Sequence, residues 1–96
     1  MTIIGRRVTA KTLKLILAII DLLRRSKHPI STKEILLLLL KKNIYVDYSK
    51  LYQCLRMLSR KNILIQTSYG KMSFWELNKG LERREILQML GVEEYS

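Results

Sequence analysis

In the stretch "DYSKLYQCLRMLSRKNILI", Ser49, Gln53, Arg56 and Arg60 recur at helical spacing, with Lys50 close by. At about 100° per residue they fall on the side of a helix opposite Leu51, Leu55 and Leu58, with Lys50 and Met57 on one flank and Tyr52 on the other. Gln offers a donor beside an acceptor, Arg a fork of donors and Lys a point charge, so the side is suited to gripping an anionic, hydrogen-bonding surface. Bond-breaking chemistry has far less to work with. The chain holds one histidine, His28, beside Pro29, and one cysteine, Cys54. No nucleophile–base pair, metal-ligand set or glycine-rich phosphate loop can be assembled from them. Neither enzymatic activity nor a cofactor, metal or small-molecule ligand is expected.

Charge points the same way. The 96 residues carry a formal net charge of +10, with 48% hydrophobic and 27% charged residues. All but two of the 18 Lys/Arg precede residue 81, whereas half of the eight Asp/Glu follow it, so the basic surface excludes the C-terminal segment. Such a field favours polyanions, nucleic acid or an anionic membrane surface, without choosing between them. The longest aliphatic run, Ile35 to Leu40, is far short of the roughly 20 residues that span a bilayer, and the N-terminus has no signal-peptide pattern. With a lone cysteine and no cystine scaffold, a cytoplasmic protein is expected, or one of the host cytoplasm if its source is viral. Length and composition predict one folded domain.

The elements that must position the gripping side can be read in order. Residues 1–8 lack a helical period and read as an N-terminal arm; residues 9–90 form the domain; residues 91–96 form a short acidic tail. Thr9 is a candidate N-cap for a first helix over Ala10–Arg25, which carries one stripe of Leu13, Ile16, Leu17, Ile20 and Leu23 and a second of Leu15, Ile19 and Leu22. Pro29 ends that helix region. Ser31 with Glu34 then forms a capping box, with Ile30 as the staple residue, for a helix of roughly Thr32–Lys42, whose leucines surround it as if sandwiched between two neighbours. Asn43 is suited to a left-handed residue, Ile44 and Val46 to turning inward, and Asp47 to capping the third helix, which runs to about Lys61. Asn62 ends it. "ILIQT", a turn at "SYGK" and "MSFWEL" predict a hairpin, and Asn78 is a candidate cap for a last helix of roughly Lys79–Leu90.

This order resembles winged helix-turn-helix DNA-binding domains. The likeness is carried by the Asp47 cap, Leu51, Leu55, Leu58, Asn62, Ile63 and Leu64 of the quoted stretch, by "HPISTKEIL", and by "FWELNKGLERREIL". That last segment is similar to the one closing the wing in PadR-like and MarR-like proteins, although Asn78 stands where Thr is usual. Very small members of this kind are typical of archaea and their viruses. The resemblance implies a mostly α, α+β fold with a three-helix core, a β-hairpin wing and a C-terminal helix. It further implies a transcriptional regulator binding double-stranded DNA through the third helix.

Candidate contacts follow. On the third helix, Ser49, Lys50 and Gln53 are expected deepest in the major groove, Arg56 at a base or phosphate and Arg60 at the backbone. Tyr48 and Tyr52 either donate a hydroxyl to phosphate or stack on the domain body. Lys71 beside Gly70 is either a wing-tip contact or a solubilising turn residue. Arg6 and Arg7 form either a groove-tracking arm or a loose tail. Lys33, Lys41 and Lys42 are further phosphate candidates, the last two also complementing the dipole of their helix. Trp75 and Cys54 are expected in the core, with Phe74 facing away. The second stripe of the first helix, Leu15, Ile19 and Leu22, with Ile86, Met89 and Leu90, is expected to form a homodimer interface that serves a near-palindromic site. The rival reading is a winged-helix module for protein or RNA interaction without sequence-specific DNA binding.

Overall fold

A computed structural model describes residues 9–91, so the N-terminal arm with Arg6 and Arg7, and the tail beyond Gly91, lie outside the described residues. Its element order is α1 (Ala10–Arg25), β1 (Ile30–Ser31), α2 (Thr32–Lys41), α3 (Tyr48–Arg60), β2 (Leu64–Tyr69), β3 (Met72–Leu77) and α4 (Arg83–Met89). The fold is thus α+β and mostly helical, with the strands in one antiparallel sheet ordered β1-β3-β2. Leu64 pairs with Leu77 and Tyr69 with Met72, which leaves Gly70 and Lys71 as the turn. Gly70 sits at φ +61 with open space around a would-be Cβ, so backbone conformation, not crowding, calls for glycine there.

Short-range signals set the helix ends. The Thr9, Ser31 and Asp47 side chains each accept a hydrogen bond from the backbone N–H three residues on, at 3.1, 3.2 and 2.7 Å. At the other ends α2 and α3 use one device twice. Asn43 and Asn62 take φ of 62° and 63°. The following N–H groups, of Ile44 and Ile63, reach back to the carbonyls of Leu39 and Leu58 at 2.9 and 3.0 Å. That is the Schellman closure, which satisfies carbonyls a helix end leaves open.

One apolar cluster draws on every element, including Ile16 and Ile19 of α1, Ile35 of α2, Leu51, Leu55 and Leu58 of α3, Trp75 of β3 and Ile86 of α4. Trp75 is fully buried, and its indole N–H donates to the buried Thr32 hydroxyl at 2.8 Å. The bond fixes the start of α2 against the middle strand and leaves no polar atom of that pair unsatisfied.

Three expectations change. Both stripes of α1 are buried within a single chain: Leu15, Ile19 and Leu22 are 6%, 0% and 9% exposed, and Ile86 and Leu90 of the C-terminal region 1% and 4%. The helix does need two partners, but its own chain supplies them, so these residues leave no apolar surplus for a dimer; Met89 is half-buried against the same cluster. Helix α2 has its two helical neighbours, α1 and α3, and also touches the sheet, but it is not enclosed by them. It buries Thr32, Ile35 and Leu39, while Leu37 and Leu40 are 49% and 47% exposed. Finally, Asn78 caps nothing. Its N–H and Nδ2 donate to the Ile63 and Asn62 carbonyls at 2.9 and 2.8 Å, prolonging the hairpin, and Gly80 at φ +96 delays α4 until Glu82. There the Glu82 N–H donates to the Glu85 carboxylate at 2.8 Å. Among the described residues, no helix is long and apolar enough to cross a membrane.

Candidate nucleic-acid interface

Helix α3 is amphipathic in the sense its spacing predicts. Leu51, Cys54, Leu55 and Leu58 are buried, and Tyr48, Ser49, Lys50, Gln53 and Arg60 are exposed. The carboxylate of Asp47 pins the first turn, which fixes the azimuth of Ser49, Lys50 and Gln53 relative to the core. These three, with Tyr48, make a hydrophilic patch at the helix N-terminal half to which no other side chain among the described residues hydrogen-bonds.

In the other half, Arg56 is tied down while Arg60 is exposed. Arg56 is half-buried, and its Nη1 donates to Gln66 Oε1 at 2.9 Å; Gln66 Nε2 in turn donates to Ser73 Oγ at 3.0 Å. Gln66 and Ser73 stand on the same sheet face as Leu64, Trp75 and Leu77, the face that meets the core. Arg56 therefore acts as a strut between α3 and the hairpin, with its remaining guanidinium N–H groups left for an outside acceptor. Local spacing does not announce the chain Arg56–Gln66–Ser73. Its one sequence signal is Gln66, a polar residue two positions from Leu64 on the inward side of a strand.

Tyr52 also turns to the body: its ring meets Trp75 edge-on, with centroids 5.9 Å apart. Such an aromatic pair contributes about 0.5–1.5 kcal/mol beyond area burial and takes Tyr52 off the exposed side. Tyr48, at 53% exposure, stays on it. Lys71 is exposed at the hairpin tip and Lys33 near the start of α2. Lys42 is drawn elsewhere, to Asp21 of α1 at 3.4 Å, a carboxylate that Arg25 also approaches at 3.3 Å. Phe74 faces away from Trp75 and is met edge-on by Tyr69 at 5.6 Å, within its own hairpin.

Two more cations belong beside the patch. Lys11 and Lys14 of α1 line an open groove of about 640 Å³ together with Asn43, Tyr45, Asp47 and Lys50. In sequence they look like a solvated helix face, and only the packing of α1 against the α2–α3 turn brings them to Lys50. Cys54 lies under this surface. Burial pushes its thiol up to about 11, with the Lys50 charge pulling weakly the other way, so the sulfur stays protonated at neutral pH.

Ser49, Lys50, Gln53, Lys11 and Lys14 thus form one end of a cationic side, and Lys33, Lys71 and Arg60 are exposed on α2, the hairpin tip and the end of α3. No protein-family model matches the sequence, and no curated protein matches it either.

Proposed function

We propose that this chain is a winged helix-turn-helix domain that binds double-stranded DNA and acts as a transcriptional regulator, with α3 as the recognition helix and the β2–β3 hairpin as the wing. The observation that carries this reading is α3 itself: one face seated in the core, the other presenting the side chains of Ser49, Lys50 and Gln53, which make no hydrogen bond among the described residues. A helix of this kind fits the major groove, where Gln pairs with adenine and Ser and Lys meet base edges or phosphates. Lys71 serves the flanking backbone, and Lys11, Lys14 and Lys33 add sequence-independent attraction. Arg56 is reassigned: it sets the angle between recognition helix and wing and contacts DNA with its free N–H groups.

A homodimer on a near-palindromic site remains part of the proposal, built on a surface other than Leu15, Ile19, Leu22, Ile86 and Leu90. Its measurable sign is a twofold footprint with half-sites about 34 Å apart.

Selection from a random duplex pool, followed by titration of the selected site at increasing salt, tests the reading. Binding is expected to prefer one sequence and to weaken steeply with salt. Gln53→Ala is expected to relax preference at particular base pairs by about 1–3 kcal/mol, and Lys71→Ala to weaken all sequences alike. Binding that ignores sequence favours the interaction-module reading instead.

A further inference from the structure

Helix α2 exposes apolar surface that the fold does not use and that DNA has no use for. Leu37 and Leu40 are 49% and 47% exposed and Tyr45 is 73% exposed. They line an open groove of about 400 Å³ with Leu36, Ile44 and Val46, between the C-terminal half of α2 and the turn that follows it. Lys33 and Lys41 stand one helical turn before and after Leu37, both exposed, and neither pairs with a carboxylate among the described residues. Ile44, Tyr45, Val46 and Asp47 also line the groove of Lys11, Lys14 and Lys50.

We propose that this groove docks an amphipathic helical segment of another protein, apolar on one side and acidic on its flanks. Charge selects that occupant. A second copy docked at this groove would set Lys33 and Lys41 against their own counterparts or one another across a twofold contact. An acidic partner meets Lys33 and Lys41, which flank Leu37 on the exposed side of α2. Of the nearest carboxylates, Asp47 is already engaged by the Lys50 N–H at 2.7 Å, and Glu34 sits in the first turn of α2, where the helix dipole offsets its charge. Leucine side chains in the groove supply the desolvated anchor points, and the lysines set orientation and encounter rate. This inference goes beyond DNA binding and does not depend on it.

The test uses two fluorescently labelled synthetic helices of roughly 15 residues, long enough to be helical when bound, with the same leucine stripe and either Glu or Lys on the flanks. Anisotropy titrations of the full chain at about 0.15 M salt keep long-range attraction screened. The Glu peptide is expected to bind saturably and the Lys peptide not at all. Leu37→Ser with Leu40→Ser should weaken the Glu peptide about tenfold or more, as loss of groove anchors does, while the melting temperature holds. Lys33→Glu with Lys41→Glu should transfer the preference to the Lys peptide. The proposal is overturned if the Glu peptide does not bind, or if its binding ignores the serine substitutions and so reflects charge alone. It is equally overturned if sedimentation shows a dimer that the same substitutions dissociate, because the groove then belongs to a second copy.

Discussion

Helix α2 holds six aliphatic side chains in "ILLLLL", yet buries only Ile35 and Leu39, whereas α3, far more polar, buries every leucine it has at 0% exposure. The two helices adjoin in the chain and share their C-terminal closure. They differ in periodicity. Leu51, Leu55 and Leu58 repeat at four and three, so one azimuth collects them all and the opposite side is left outward. An unbroken run has no azimuth: successive residues rotate by about 100°, and a helix that touches the core along one side must expose half the run whatever its chemistry. Apolar content shows that a helix has something to bury. Spacing shows how much it can.

The largest effect expected from this contrast comes from truncating one leucine on each helix. Leu55→Ala should cost about 2–5 kcal/mol of unfolding free energy, through lost transfer energy and a residual cavity, and Leu37→Ala less than about 0.5 kcal/mol, both read from urea unfolding midpoints. Comparable losses would mean that α2 is covered in solution. Next in size, Thr32→Val should destabilise by about 1–3 kcal/mol by leaving the buried Trp75 N–H without an acceptor. Tryptophan emission should shift with it, since the indole loses its bond. Smallest, Asn43→Ala and Asn62→Ala should each cost about 1 kcal/mol, because a Cβ-bearing residue without a local polar group resists positive φ. The Asn62 change should be the larger of the pair, since Ile63 beyond it is fully buried and Ile44 beyond Asn43 is half-exposed.

Much of this molecule is readable from short stretches. The bounds of α1, the Ser31 and Asp47 caps, the left-handed Asn43 and Asn62, the Gly70 turn and the inward side of α3 are each decided by a residue and its neighbours within four or five positions. Capping, turn formation and helical spacing act over that range. The start of α4 does not follow from its local signals, because Asn78 has two competing uses and the carbonyls of Asn62 and Ile63, far off in sequence, take it.

What remained hidden involves pairs of segments. Nothing near Arg56 announces Gln66 and Ser73 as its partners, and nothing near Lys11 or Lys14 announces Lys50; each meeting depends on how a helix is laid against another element. The same holds for Leu15, Ile19 and Leu22, whose apolar character was plain while their destination was not. By itself the sequence determined a cationic chain of amphipathic helices and a hairpin, with the places where each begins and ends except the start of α4. Tertiary structure alone decided which greasy faces were consumed internally and which were left over, because burial is set by contact between surfaces distant in the chain, and local propensity carries no record of what a face will meet.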